Sequence, residues 1–387
     1  MGRHFAANGI TLLIVVLIGV FAIVSWGRGL YVGPGPLAAG TCVQVDPGSV
    51  MSEISEQLER DGVIENATVF RIGANYTERS DQLKAGSFIV PEASSMDEIT
   101  DIITRGGQST CGTEIVYRIG VRNVSYQVRE FDAGEGRYVE RASFLVGEPA
   151  PEAYTEAQGS ADVRYRVVVA EGGTTQDTAS ALLAADFLEG AVGDLPSEGM
   201  LAPDSYEVRV GSGRADLIER MNTAQEQRLA EVWEERVDDL PLESPLELLT
   251  LASIIEKETA LAEERRVVSA VFVNRIRQGM RLQTDPTIIY GITRGAGLLD
   301  RPIRRSDIDG VTEQRLHGAV AYNTYEIDGL PPGPIANPGI ESLRAAADPD
   351  STPYIFFVAD GTGGHAFAET LEEHNENVAA FRALSSD

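Results

Sequence analysis

The apolar positions of the chain change period along its length, and the changes mark its parts. Gly9 to Trp26, GITLLIVVLIGVFAIVSW, holds 18 residues without a charge, close to the minimum that crosses a bilayer as a helix. Gly27 to Gly40, GRGLYVGPGPLAAG, is rich in Gly and Pro and predicts a linker. Shorter periodic pieces come next. A strand is expected at Val43–Val45, then a turn at Asp46-Pro47-Gly48. A helix capped by Ser49 should run to about Asp61 with Met51, Ile54 and Leu58 on one face. Further expectations are a helix at Ala67–Tyr76, a strand at Ala85–Val90 and a helix at Met96–Arg105, the last capped by Ser95 and closed by Gly106-Gly107. Together they make a β-α-α-β-α unit over residues 41–112.

From 113 to 170 the period shortens to two, in pieces such as SYQVREF, RYVERASFLV and VRYRVVVA, and predicts a β-rich insertion. Gly147 to Ala161 within it is polar and rich in Pro and Ala. Helical periods dominate 171–387. One helix should start at Thr174 or Thr175 and run to about Leu188, with Gly190 past its end. Met221–Val237 reads as a charged, mostly solvated helix. Ala262–Gly279 is another helix. Asp285-Pro286 and Asn337-Pro338 each look like an N-cap followed by the first helical position. Tyr354–Ala359 predicts a buried strand, and Thr370 to Glu373 a capping box. The expected fold class is α+β.

The apolar N-terminal run reads as an uncleaved anchor: residues 1–8 inside, a transmembrane helix at 9–26, the bulk of the chain outside the cytoplasm. Trp26 and Tyr31 would lie at the outer membrane interface. A cleaved signal peptide is the alternative, with Leu37-Ala38-Ala39-Gly40 a poor cleavage site. A formal charge of −27 argues against nucleic acid as a partner and against broad adhesion to anionic lipid. In an exported chain, Cys42 and Cys111 either form a disulfide or remain two unrelated thiols. The four histidines show no metal-ligand spacing, so no metal is expected.

The candidate chemistry lies in LTLASIIEKETALAEERR. Leu251, Ile254, Ile255 and Ala262 share one helical stripe, and Glu258 falls within it. Glu256 points away and reads as a wet-face charge. A carboxylate aimed at an apolar surface has a raised pKa and suits a general acid. The bland alternative is a buried ion pair with Arg265 or Arg275. For Asp285 the alternative to a substrate role is the helix cap. His365 reads as a satisfied strand-end histidine, and Gly361–Gly364 as a turn rather than a phosphate cradle.

Residues 41–112 resemble, in size and element order, the LysM-like module that precedes some wall-active enzymes. Four runs carry a more specific resemblance: ASIIEKET (Ala252–Thr259), NRIRQGMRLQTDPTIIYG (Asn274–Gly291), YNTYEIDGLPPGPIANPG (Tyr322–Gly339) and FVADGTGGHAF (Phe357–Phe367). They closely resemble the YceG-like family, the endolytic murein transglycosylases known as MltG. MLAPDSY (Met200–Tyr206) extends the likeness, while the stretch at about 114–169 falls outside it.

The resemblance implies a mainly helical catalytic domain at 171–387. It implies cleavage of MurNAc–GlcNAc β-1,4 bonds by intramolecular attack of the sugar's C6 hydroxyl, leaving 1,6-anhydro-MurNAc ends. One acid suffices for that reaction, where an ordinary glycosidase needs two carboxylates. The family's catalytic glutamate maps onto Glu258. Carried over by motif, Gln283 and Asp285 are candidates for binding sugar or orienting Glu258. Asn323 and Tyr325 are candidates for the N-acetyl group or an oxocarbenium-like centre, and Tyr206 for stacking on a sugar ring. No cofactor is implied. The expected partners are peptidoglycan strands, the inner (plasma) membrane and peptidoglycan synthases. Competing readings are a hydrolase in which Asp285 activates water, and a wall-binding scaffold without activity.

Overall fold

The apolar N-terminal run becomes the longest helix, α1 (Gly2–Val32). The computed structural model describes residues 2–105, 110–132, 134–160, 163–297, 299–308 and 320–384, with side chains from residue 12 onward except at 320. The chain divides into two units, Met1–Val116 with Tyr126–Tyr165, and Tyr117–Ser125 with Arg166–Asp387. The expected helix closure at Gly106-Gly107 lies outside the described residues.

In the first unit, Leu12–Val32 of α1 has a mean hydropathy of 2.2, and its most apolar 18-residue window is unburied. Its length and composition suit a membrane span, and a signal sequence would satisfy the same criteria. The helix continues six residues past Trp26, so the first part of the expected linker is helical. Tyr31 is packed into protein rather than exposed at the helix surface. It is 7% exposed in the first unit's core, and its hydroxyl donates to Thr100 Oγ1 at 3.0 Å. The ring lies where a Cβ on Gly73 would be, 2.2 Å from its nearest carbon.

The β-α-α-β-α order is present: β1 (Thr41–Val45), α2 (Met51–Arg60), α3 (Ala67–Tyr76), β2 (Gly86–Val90) and α4 (Met96–Arg105). β1 and β2 pair antiparallel, from Thr41 opposite Val90 to Val45 opposite Gly86. Met51, Ile54 and Leu58 are buried as their spacing requires. The N-cap of α2 is Val50 rather than Ser49, because Glu53 turns back to accept from the Val50 N–H. Ser95 and Glu98 form a reciprocal capping box on α4. A disulfide joins Cys42 to Cys111, with Cα atoms 6.0 Å apart.

Next along the chain are β3 (Thr113–Ile119), β4 (Val124–Asp132), β5 (Arg137–Leu145) and β6 (Arg164–Val169), with the helix α5 (Glu152–Gly159) between β5 and β6. A further strand of the second unit, β8, is Ser205–Val208. Residues 113–170 are shared between the two units, with Tyr117–Ser125 and Arg166–Val169 in the second.

In the second unit, α6 (Thr175–Ala184) is capped by the Thr174 hydroxyl. It ends earlier than expected, because Leu188–Glu189 forms a short strand, β7, parallel to β9 (Ser212–Gly213). α7 (Arg214–Glu234) buries Leu217, Ile218, Met221, Leu229 and Val232, so one face is core rather than solvated. α8 (Pro245–Glu258) starts on the Ser244 cap with Pro245 at its first position. After it come α9 (Arg265–Arg277), α10 (Asp285–Thr293), α11 (Arg305–Ile308) and α12 (Ile340–Ala347). The strands β10 (Phe356–Ala359) and β11 (His365–Ala368) pair antiparallel before α13 (Leu371–Leu384). β10 is half-buried rather than buried. The capping box of α13 is present, with Thr370 and Glu373 exchanging hydrogen bonds.

α8 is the centre of this unit. Every residue from Leu248 to Ile255 is buried, and α7, α9 and α12 supply the surrounding side chains. Each buried Leu or Ile contributes about 1.5–3 kcal/mol. A helix apolar all round lies inside a fold rather than along its edge. Asn337 is not a helix cap: α12 has Gly339 at its N-cap. The Asn337 amide instead accepts from the Leu201 N–H and donates to the Gly173 carbonyl, joining three loops.

The fit of Tyr31 against Gly73 is testable in the intact protein. Gly73→Ala should destabilise by about 1–3 kcal/mol through overpacking. In a Tyr31→Ala background the same change should be neutral or stabilising by up to about 1 kcal/mol, since Ala favours a helix over Gly. Denaturant unfolding of the four proteins measures this, and additive costs would refute the contact.

Candidate active site

Glu258 is the last residue of α8. Thr259 turns to an extended conformation (φ −136°, ψ 134°), which stops the helix one turn after its fully buried stretch. The stripe therefore does not continue to Ala262, which is exposed beyond the helix end. The glutamate keeps a partly open surface while dense protein surrounds it. Burial is the main reason its carboxyl pKa is raised above the usual carboxylate range. A hydrogen bond from Thr284 opposes that shift, and the charge of Asp285 adds to it. His365 and Arg275 lower it again. The C-terminal end of a helix carries partial negative charge, which further disfavours an ionised carboxylate there.

The ion-pair alternative is not what the side chains do. Among the described residues no cation lies within 4.0 Å of the Glu258 carboxylate. Arg275 is 8% exposed and directs its guanidinium to backbone, donating to the carbonyls of Ile355 at 2.7 Å and Leu282 at 2.6 Å. Arg265 instead faces Glu171 at 3.9 Å. The direct partner of Glu258 is the Thr284 hydroxyl, which donates to Oε1.

Thr284 is itself held by two more buried threonines. Its N–H donates to Thr324 Oγ1 at 3.0 Å, and its carbonyl accepts from Thr287 Oγ1 at 2.7 Å. The hydroxyls of Thr287 and Thr324 are 2.9 Å apart. Gln283 precedes this group at φ +50°, a left-handed conformation costing a non-glycine about 1–2 kcal/mol. Its N–H donates to the Thr324 carbonyl at 3.1 Å, and its side chain is exposed. The bend turns Thr284 inward and leaves Gln283 outward.

The other expected residues separate. Asp285 is the first residue of α10, whose N-cap is Thr284 with no side-chain hydrogen bond, so Asp285 is not the cap. It is exposed, and its Oδ1 accepts from the Tyr325 hydroxyl at 2.8 Å. Burial and Asp285 raise the Tyr325 pKa, which keeps the phenol protonated. Asp285 and Tyr325 are thus within electrostatic reach of Glu258, and Gln283 is exposed one residue before Thr284. Asn323 is 4% exposed and committed to the loop, donating to the Ile308 carbonyl and accepting from the Tyr325 N–H. It positions Tyr325. Tyr206 is not in the cluster. It is 7% exposed, donates to the Ala202 carbonyl and carries Arg220 over its ring, so no face is open for stacking.

His365 opens β11 with both its N–H and its Nδ1 against Glu264, at 2.8 and 2.7 Å. Asp360 fills the glycine-rich turn with its own carboxylate, accepting from the N–H groups of Thr362 and Gly364. Among the described residues no three His, Cys, Asp or Glu side chains gather as a metal requires.

Glu256 is half-buried, not a wet-face charge, and accepts from the Gly339 N–H at 3.0 Å. Lys257 donates to the Gly172 carbonyl at 3.1 Å. Periodicity alone had no means of finding either contact, nor the three threonines. The threonines do lie in the runs QTDPT and YNTY.

Thr284→Val removes the donor that lowers the Glu258 pKa, so that pKa should rise further. A reaction that needs protonated Glu258 should then lose activity at a higher pH than wild type does. The lost positioning should lower kcat by roughly tenfold, and Thr284→Ser should restore both properties. A pH–rate profile of the three proteins checks this, and an unshifted alkaline limb in the valine variant would contradict it.

The YceG-like family model matches residues 43–380. An endolytic murein transglycosylase of Bacillus subtilis is 27% identical over 346 residues, covering 86% of this chain and 82% of the relative. One of Streptococcus pneumoniae is 25% identical over 342 residues, covering 87% of this chain but only 57% of its own length. A yceG-like protein of Listeria monocytogenes with a solved structure aligns over 87% of this chain and 98% of its own, at 25% identity and a TM-score of 0.46. With its matched span running from β1 into α13, the chain belongs to the YceG-like family.

Proposed function

We propose that the chain is a membrane-anchored lytic transglycosylase that cuts MurNAc–GlcNAc β-1,4 bonds within peptidoglycan strands and leaves 1,6-anhydro-MurNAc ends. The names of its relatives support the reaction class. The observation that carries the mechanism is Glu258: a carboxylate at the end of a buried helix, pushed towards its neutral form, with a hydroxyl rather than a cation as partner. Protonated, it donates to the leaving glycosidic oxygen. As the carboxylate so formed, it takes the proton of the C6 hydroxyl as that oxygen attacks C1. Attacker and target share one sugar, so no enzyme nucleophile is needed. Asp285, held by the Tyr325 hydroxyl, would stabilise the positive charge that develops at C1, and the solvent-facing Gln283 would contact the strand.

Anchoring rather than signal cleavage is supported by the residues just beyond the apolar run. Tyr31 and Leu37 pack in or against the first unit's core. The Gly35 N–H donates to the Ala93 carbonyl, and the Leu37 carbonyl accepts from the Ala93 N–H. Cleavage at 37–40 would strip part of that core. The chain would then be a single-pass protein of the inner membrane, with residues 41–112 a LysM-like wall-binding module, acting where peptidoglycan synthases release new strands.

Glu258→Gln should lower anhydro-ended product by about 10²–10⁴-fold. Folded protein holds the Glu258 proton more tightly than unfolded chain does. Wild-type stability therefore falls as pH rises from the unfolded pKa through the folded one, and the glutamine variant lacks that loss. Its melting temperature should equal or exceed wild type at neutral pH, with the gap shrinking in acid. Product chromatography and thermal melts test both points. Full activity in the variant would sink the mechanism.

A further inference from the structure

A cavity of about 900 Å³ lies in the second unit, with Asp285 on its wall. Lys257 also lines it. One residue along a helix turns the side chain by about 100°, so Lys257 leaves α8 in a different direction from Glu258. Its ammonium has three hydrogens and gives one to the Gly172 carbonyl. Arg122 lines the same cavity and is exposed. Among the described residues neither cation has a carboxylate within 4.0 Å. A third cation there, Arg301, is neutralised by Asp307 at 2.6 and 3.0 Å.

The cavity also carries acids, Asp177 and Asp300 besides Asp285. Ile289, Ile303 and Ile335 supply apolar wall between the charges. The hexosamine backbone of peptidoglycan is N-acetylated and neutral, and offers nothing to pair with charges of both signs. The peptide branch on the lactyl group of MurNAc has free carboxylates, alanyl methyls and, when uncrosslinked, an amine.

We propose that this cavity seats the peptide branch of the strand, with Lys257 and Arg122 binding its carboxylates. The reading rests on the proposed transglycosylase function and adds that the enzyme favours strands that carry peptides. Charge-assisted hydrogen bonds suit a selectivity step, because a substrate lacking the carboxylate leaves the cations unpaired in a partly buried site.

The test uses the full-length protein in detergent and two substrates: peptide-bearing strands, and the same strands stripped of peptides by an amidase. The ratio of kcat/KM on the two should favour the peptide-bearing strand. Arg122→Ala and Lys257→Met should each lower that ratio by about tenfold, the size of one charge-assisted hydrogen bond. Arg122 is exposed, so its variant keeps the test valid if Lys257→Met does not fold. Equal loss on both substrates would mean that sugars occupy the cavity and would overturn the proposal, as would a wild-type ratio of one. A wild type that cuts neither substrate would overturn the transglycosylase reading itself, and this proposal with it.

Discussion

At the C-terminal end of α8, burial and charge compete, and the rest of the second unit is arranged around the outcome. The helix is buried on all sides for two turns and then delivers Glu256, Lys257 and Glu258 in succession. Each charge is met by a different loop: the Gly339 N–H, the Gly172 carbonyl and the Thr284 hydroxyl. Two of the three contacts fasten loops to the helix. The third meets its carboxylate with a neutral partner, so the cost of burial stays on Glu258 as a raised pKa. A cation at that position would have removed the cost and the proton together.

Such a carboxylate explains why the neighbourhood can be simple. A reaction whose nucleophile comes from the substrate needs one group that gives a proton and takes one back. The threonine network fixes the direction of that group without charging it. Asn323, through the Tyr325 backbone, fixes the phenol that occupies Asp285. The strained turn at Gln283 is what lets Thr284 face the helix end.

Much of this architecture could be read from residue order, because it rests on local rules. Periodicity and capping locate α2 to α4, and the apolar run locates α1. Glu258 could be picked out by its place on a helical stripe, although the structure differs: the helix is buried on every side, and Glu258 is its last residue. What stayed hidden depends on distant partners. Asp285-Pro286 and Asn337-Pro338 have the look of helix starts, yet Thr284 and Gly339 hold the cap positions. Asn337 is held by loops more than a hundred residues away. Tyr206 offers a ring by composition, but tertiary packing buries it, with Arg220 over the ring and the hydroxyl on a backbone carbonyl. Tyr31 sits five residues beyond an apolar run and belongs to a core that only the folded unit reveals.

The central claim is that one carboxylate, with no enzyme nucleophile and no activated water, breaks the glycosidic bond. Cleavage of peptidoglycan strands by the full-length protein in water enriched in heavy oxygen tests this most directly, read by mass spectrometry of the new MurNAc ends. Intramolecular attack predicts ends that lack one water and carry no heavy oxygen. Heavy oxygen at the new reducing ends would mean that water attacks, with Asp285 the group beside it, and would contradict the mechanism.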